Sequence, residues 1–356
     1  MKRIIIISLV VFNIIQQVSG QDFTFSQFYE KPLLRNPALA GISNSDIRVQ
    51  SAHRSQWGSV TVPYQTTALS AEVRFPIGQK DDFITGGIQI TQDLAGDSKL
   101  GRLQLLPVLT FHKSVGQGDD YLSFSVMGGR VQSQFDPSKM TFDDQFQNGV
   151  YIPSNATQQI FSKTNLSYND LSTGLSFSSS NGDNINYYLG VAGFHLIRSK
   201  VTFFDNDNFI LKPRYVANAG INITTGSNDH IYFYGDYIVQ AGNRQFLMGS
   251  LFRTDLLPDE DYSDETNNIA ISFGGSLRWG DAFIPIVRLE LKKLFFGTSY
   301  DVNLSKLKSA SQFRGGFEIT AGYKSYLNIR GGYSGGAGGR GFGRRGGVIS
   351  TKCPRF

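Results

Sequence analysis

The chain has 356 residues, of which 13% are aromatic and 39 are glycine, and a formal net charge of +5. No window after residue 20 offers the ~18 consecutive apolar residues of a membrane-spanning helix, which excludes a helical membrane protein. Six basic residues and no acidic ones lie in 327–356 and two more basic residues in 1–3, so acidic residues outnumber basic ones in 21–326. The positive charge is therefore local, and a nucleic-acid-binding role for the whole chain is excluded.

The first twenty residues have the pattern of a secretory signal peptide. Lys2 and Arg3 precede an apolar run over 4–15, and small residues follow up to Gly20. The apolar run is about a dozen residues long, whereas a spanning helix needs ~20. We therefore predict that residues 1–20 are removed and that the mature chain begins at Gln21.

Residues 21–46 fit neither helical nor strand periodicity. Pro32, Pro37 and Gly41 stand among several large apolar residues. Since Pro32 and Pro37 should prevent regular structure and glycine permits sharp bends, we predict an irregular segment that bends at Gly41 into the first strand. A loose leader would expose its apolar side chains to water, so we favour a segment packed against the rest of the molecule.

Alternation of apolar and polar residues with period two dominates 47–326. Over 313–326, for example, apolar residues alternate with Arg314, Glu318 and other polar residues. Such alternation predicts strands with one apolar face. We place fourteen strands near 47–58, 66–75, 83–93, 101–114, 120–133, 168–180, 186–197, 215–225, 230–241, 244–254, 267–279, 282–292, 294–304 and 313–326.

The length of these strands favours a membrane barrel over a soluble β-sandwich. A tilted strand crosses a bilayer with about 9–11 residues, whereas strands of soluble proteins have a modal length of ~5–6 residues. We therefore predict a transmembrane outer-membrane β-barrel of about 14 antiparallel strands over 47–326, and a soluble secreted sandwich remains an alternative. In a barrel the charged residues of the polar face would point into a wet lumen and pair there. The candidate lumen charges are Glu72, Arg74, Arg278, Arg288, Glu290, Arg314 and Glu318.

The connections predict which end of the barrel faces outward. With the N-terminus on the periplasmic side, long outer loops should alternate with short inner turns. Residues 134–167 and 198–214 fit long outer loops. The connection at 242–243 is too short for an outer loop, however, and the acidic connection at 255–265 is long where a turn is expected. Either one strand is miscounted or a long acidic loop faces the periplasm.

No catalytic or metal-binding pattern stands out. The four histidines fall in four different predicted strands, with no H-E-x-x-H motif and no cysteine pair. The stretch that begins at Asp205 lacks the glycine and glutamate of a calcium loop. The Gly/Arg-rich basic tail, 327–356, contains G-x-G-x-x-G without the strand and helix of a dinucleotide site, and we predict a flexible extension. We expect no enzymatic activity and no cofactor.

Several short motifs carry a family resemblance. They are F-S-Q-F-Y at 25–29, N-P-A-L-A-G at 36–41, H-R-S-Q-W at 53–57 and R-G-G-F-E-I at 314–319. With these motifs the sequence resembles the PorP/SprF family of the type IX secretion system. The candidate plug and family-motif residues are Phe25, Gln27, Asn36, Pro37, Gly41, Arg54 and Trp57.

The resemblance implies an outer-membrane barrel that docks or anchors secreted surface proteins, such as gliding adhesins, and supports their export. The implied partners are this cargo, other type IX secretion components such as periplasmic ones, and the lipid bilayer, without nucleic acid. In such a barrel, residues 21–46 are a candidate plug that enters the mouth. The alternative is an outer-membrane transport channel, either a polar pore or a fatty-acid-transporter-like carrier, since N-P-A also occurs near the start of such barrels.

Overall fold

The computed structural model describes residues 22–43, 45–59, 61–77, 81–115, 119–181, 184–204, 208–226, 228–257, 269–306 and 308–327. The predicted signal peptide, nearly all of the basic tail, the acidic connection after Leu257 and the stretch that begins at Asp205 lie outside these residues. The strands are β1 (Ile47–Gln56), β2 (Tyr64–Pro76), β3 (Phe83–Ala95), β4 (Leu100–Ser114), β5 (Tyr121–Gln134), β6 (Phe146–Gln147), β7 (Val150–Tyr151), β8 (Asn165–Asn181), β9 (Ile185–Phe194), β10 (Arg214–Thr224), β11 (Asp229–Gln240), β12 (Asn243–Leu257), β13 (Ile269–Arg278), β14 (Ala282–Leu291), β15 (Leu294–Asn303) and β16 (Arg314–Ser325).

Fourteen of the described strands form one closed barrel. Each strand pairs antiparallel with its neighbours, and β1 closes the ring by pairing with both β2 and β16. The remaining two, β6 and β7, form a small hairpin between β5 and β8. The predicted fold is confirmed. The sequence did not predict the hairpin, whose two-residue strands are too short to show a period.

Successive side chains of each strand alternate between the lumen and the outer surface. In β4, Val108 and Thr110 are buried, whereas Leu109 and Phe111 are exposed. Large apolar residues occupy exposed positions on most of the strands. An apolar outer wall around a polar interior suits a protein surrounded by lipid.

The two ends of the barrel differ in their connections. The connections 135–164 and 195–213 lie at one end, which we call the long-loop end; the opposite, short-turn end carries connections such as 182–184 and 292–293. Since the barrel has fourteen strands, no strand was miscounted. β12 ends and β13 begins at the short-turn end, so the chain between Leu257 and Ile269, which lies outside the described residues, connects the two strands on that side.

None of the described helices is long and apolar enough to span a membrane. Residues 22–43, which we call the strap, lie inside the barrel and contain three short helical turns: Phe28–Glu30, Pro32–Arg35 and Pro37–Leu39. The prediction that the two prolines prevent regular structure is wrong. Each is the first residue of a helical turn, where the missing N–H needs no partner and the fixed φ suits the helix.

The strap runs through the lumen from the long-loop end to the short-turn end. Asp22 contacts Arg214, the first residue of β10 at the long-loop end. At the other end, Gly41 has φ +72°, and a Cβ there would overlap the side chain of Thr85. This glycine lets the chain turn towards the start of β1 while it lies against the wall.

Candidate functional site: the strap in the barrel lumen

A buried ion pair fixes the middle of the strap. Arg35, at the end of a helical turn, lies with Nη2 2.5 Å and Nε 2.8 Å from the two carboxylate oxygens of Asp236 in β11. Its Nη1 donates to the Tyr188 hydroxyl at 2.7 Å. The geometry is bidentate and charge-assisted, which makes it both strong and directional.

The next residue, Asn36, lies against a part of the wall where two positions are glycine. Its Nδ2 donates to the Leu175 carbonyl at 3.0 Å and to Asn218 Oδ1 at 3.2 Å. A Cβ on Gly174 or Gly190 of the wall would overlap the Asn36 amide. These glycines therefore provide the space that Asn36 occupies.

Glu318 of β16 holds the first part of the strap. Its carboxylate accepts the backbone N–H groups of Ser26 and Gln27 at 2.6 and 2.9 Å. Nearby, Arg54 lies 2.7 Å from Asp301 and donates to a strap carbonyl oxygen. β1 and β16, the first and last strands of the barrel, thus hold one short stretch of the strap.

Charged residues of β2 hold the last part of the strap. Glu72 accepts the backbone N–H of Gly41 at 2.7 Å and pairs with Arg48 at 2.6 Å. Arg74 lies 2.7 Å from Asp46 and donates to the Ser43 carbonyl at 3.3 Å. The strap is therefore bonded to the wall at both ends and in the middle.

A further group of charges surrounds the turn at Phe28–Glu30. Arg288 lies 3.0 Å from Glu30 and 2.7 Å from Glu290. Lys31 is buried, and its Nζ has no hydrogen-bond partner among the described residues.

The structure brings most of the predicted residues to the strap, and two lie apart. Phe25 is buried against Ala52 and Ala68, and the Pro37 carbonyl accepts a hydrogen bond from a wall threonine at 3.1 Å. Trp57 lies at the long-loop rim, and Arg314 is exposed at the first residue of β16. The predicted residues in or against the strap are Phe25, Gln27, Asn36, Pro37, Gly41, Arg54, Glu72, Arg74, Arg278, Arg288 and Glu318, and Glu290 joins them through Arg288.

Sequence reasoning missed several partners in these contacts. Asp236 and Asp301 lie at inward positions of β11 and β15, so the strand alternation contained a signal for both. The irregular strap gave no comparable signal for Asp22, Glu30 or Arg35. Their pairing depends on which wall residue the strap meets, and local sequence does not contain that information.

A sequence model of the family described as "Type IX secretion system membrane protein PorP/SprF" matches residues 17–323. The chain belongs to the PorP/SprF family. The chain matches no curated protein. By its family, the PorP/SprF barrel belongs to type IX secretion and to the outer membrane. The family is one of secretion membrane proteins and not of enzymes.

Three solved structures are similar to this PorP/SprF chain at low sequence identity. A FadL homologue of Pseudomonas aeruginosa is 8% identical with a TM-score of 0.44, covering 83% of this chain and 94% of that chain. BamA of Haemophilus ducreyi, lacking POTRA domains 1–3, is 9% identical with a TM-score of 0.39, covering 78% and 70%. The monoaromatic hydrocarbon channel CymD is 8% identical with a TM-score of 0.41, covering 86% and 96%.

Proposed function

We propose that this barrel docks or anchors secreted surface proteins, such as gliding adhesins, at the outer membrane and supports their export. The observation that carries the proposal is the strap, which is bonded to the wall from Asp22 to Ser43 along the lumen. A lumen occupied in this way suits a docking protein better than a freely conducting pore. Other secretion components would meet the barrel from the short-turn end.

The two long loops supply a surface for docking. Phe161 of the first loop lies 4.9 Å from Phe135 and 5.5 Å from Phe204 of the second loop, measured between ring centres. Phe203 of the second loop lies 4.8 Å from Phe135. The aromatic contacts join both loops into one platform, and such contacts stabilise beyond the area that they bury.

Apolar side chains project from this platform into solvent. Ile160 is 83% exposed and Val150 is 64% exposed, and Phe146 and Tyr151 of the hairpin are also exposed. Phe146 and Tyr151 lie 5.5 Å apart between ring centres, and exposed apolar side chains that lie together are typical of protein-binding surfaces. Because long loops of outer-membrane barrels face the cell exterior, this surface would meet cargo there.

Affinity capture from crosslinked intact membranes tests the proposal. We expect the wild-type barrel to retain surface proteins identified by mass spectrometry, and a strain without the gene to lose some of them from the cell surface. An Ile160→Ser and Val150→Ser double variant should capture less cargo, while the neighbouring exposed control Gln159→Ser should not. Full secretion and attachment of all surface adhesins in the deletion strain would contradict the proposal.

A further inference from the structure

Three cationic side chains of the barrel converge on one carboxylate at the long-loop end. Asp22 Oδ1 lies 2.5 Å from Arg102 Nη2, and its Oδ2 lies 2.6 Å from His195 Nε2 and 3.6 Å from Arg214 Nη1. The backbone N–H of Asp22 donates to Gln240 Oε1 at 2.9 Å. We call Arg102, His195, Arg214 and Gln240 the mouth pocket. It recognises both the carboxylate and the backbone of an acidic residue.

Contacts within the wall hold the mouth pocket in place. His195 Nδ1 lies 2.8 Å from Asp170 Oδ2, and the Arg214 guanidinium lies 4.3 Å from the centre of the Phe194 ring. Arg214 is buried, and its Nε has no hydrogen-bond partner among the residues that the structure describes. Asp170 offers one carboxylate to three cationic side chains, so the mouth pocket keeps an excess of positive charge without Asp22, and an anionic ligand would offset it.

Asp22 is positioned as a ligand that can exchange. Residues 22–25 form neither helix nor strand, and the Glu318 carboxylate holds the strap from Ser26 onward. Besides the contacts of Asp22, withdrawal of residues 22–25 breaks the hydrogen bond from Arg54 to the Thr24 carbonyl and the apolar contacts of Phe25 with Ala52 and Ala68, all of which an incoming segment of the same order would make again. Arg102, near the long-loop end of β4, keeps 23% of its side chain exposed.

We propose that the mouth pocket binds an acidic, extended segment of a partner protein, with Asp22 as the resident ligand that the partner's carboxylate replaces. Phe23 follows Asp22, and its ring centre lies 5.5 Å from the Arg102 guanidinium. The fitting segment therefore carries an aspartate followed by an aromatic residue, in the order found in the strap. This inference rests on the proposed function only for the direction from which the segment arrives.

Peptide binding to the full chain in detergent tests the pocket. The probe is a fluorescently labelled Asp-Phe-Thr-Phe peptide blocked at both ends, and the control peptide is Asn-Phe-Thr-Phe. We expect Asp22→Ala to bind the probe about tenfold more tightly than the wild type, because the resident competitor is gone. The control peptide should bind neither protein, and Asp136→Ala, which removes a carboxylate from a long loop, should behave as the wild type.

Adding Arg102→Gln to Asp22→Ala should abolish the gain in affinity for the probe. The double variant should keep the heat-dependent mobility shift on gels that marks a folded barrel. Equal affinity of the wild type and Asp22→Ala, or equal binding of both peptides, would overturn the inference. The assay contains no cargo, so its outcome is independent of the docking function. A barrel that binds the probe but retains no surface protein in cells would contradict the proposed function alone.

Discussion

At the residue scale, the pairing of Arg35 with Asp236 holds the middle of the strap to the wall. Both side chains are buried, and three hydrogen bonds join the guanidinium to the carboxylate. Removing either partner leaves the other charge buried without a counter-charge. This destabilises the fold by more than the intact pair stabilises it relative to two apolar side chains.

Asp236→Ala should therefore lower the free energy of unfolding by about 3–5 kcal/mol. The double variant Arg35→Met and Asp236→Leu should lose much less, because no charge remains buried alone. Urea unfolding of the refolded barrel in detergent measures both values. If the double variant were as unstable as the single one, the charges would not be the source of the effect.

The stability of the barrel should depend on pH through His195, which lies between two carboxylates just after β9. Burial lowers the pKa of His195, but Asp22 and Asp170 outweigh burial and raise it to about 9. Burial raises the pKa of Asp22, but Arg102 and His195 hold it well below 3.8. A raised histidine pKa gives stability that is complete below the ordinary value of about 6.5 and is lost as the pH rises through 9.

The difference in stability between the wild type and His195→Gln should accordingly be largest near pH 6 and shrink above pH 9. Urea midpoints of the two proteins at several pH values measure this difference, and other titrating groups cancel in the comparison. A difference that stayed constant up to pH 10 would show that the charge of His195 does not hold the strap.

At the scale of elements, the strap and the wall fit because the wall lacks side chains where the strap needs space. Gly174 in β8 lies opposite the Asn36 amide, where a Cβ would overlap Oδ1. Gly86 in β3, in contrast, has open space where its Cβ would be. The two glycines therefore have different roles although both lie in strands.

Gly174→Ala should displace Asn36 and loosen the strap, whereas Gly86→Ala should leave it unchanged. We expect a cysteine placed at Ala38, with Cys353 replaced, to react with a thiol reagent several times faster in Gly174→Ala, since buried positions become reachable only when the strap opens. The rate in Gly86→Ala should match that of the cysteine variant in which both glycines are kept. Equal rates in both variants would contradict the packing argument.

For the whole molecule, conductance with and without the strap distinguishes a docking role from a transport channel. In planar bilayers we expect the intact barrel to give no steady conductance, and a chain without residues 22–40 to give steady ohmic channels through a polar, charged lumen. The control is Ile160→Ser, which changes only the exposed loop surface. Steady conductance of the intact barrel would instead favour the transport channel, and identical closed behaviour of the shortened chain would show that the strap does not block the lumen.

The barrel wall could be predicted from sequence alone, because the period of two in strands such as 313–326 is a local property of the chain. Strand number, strand length and the inward position of Glu318 and Arg288 followed from that period. Motifs such as N-P-A-L-A-G at 36–41 were sufficient to indicate the family. The prolines were misread, since the same restriction of φ that breaks a helix interior also starts a helical turn.

The contacts of the strap, in contrast, depend on the tertiary structure. Arg35 and Asp236 are 201 positions apart, and Gln27 and Glu318 are 291 apart, so neither pairing has a local sequence signal. Closure of the barrel fixes which inward side chains surround each point of the lumen, and the path of the strap then selects among them. The mouth pocket is likewise built from β4, β10, β11 and the residue after β9, which only a closed wall brings around one carboxylate.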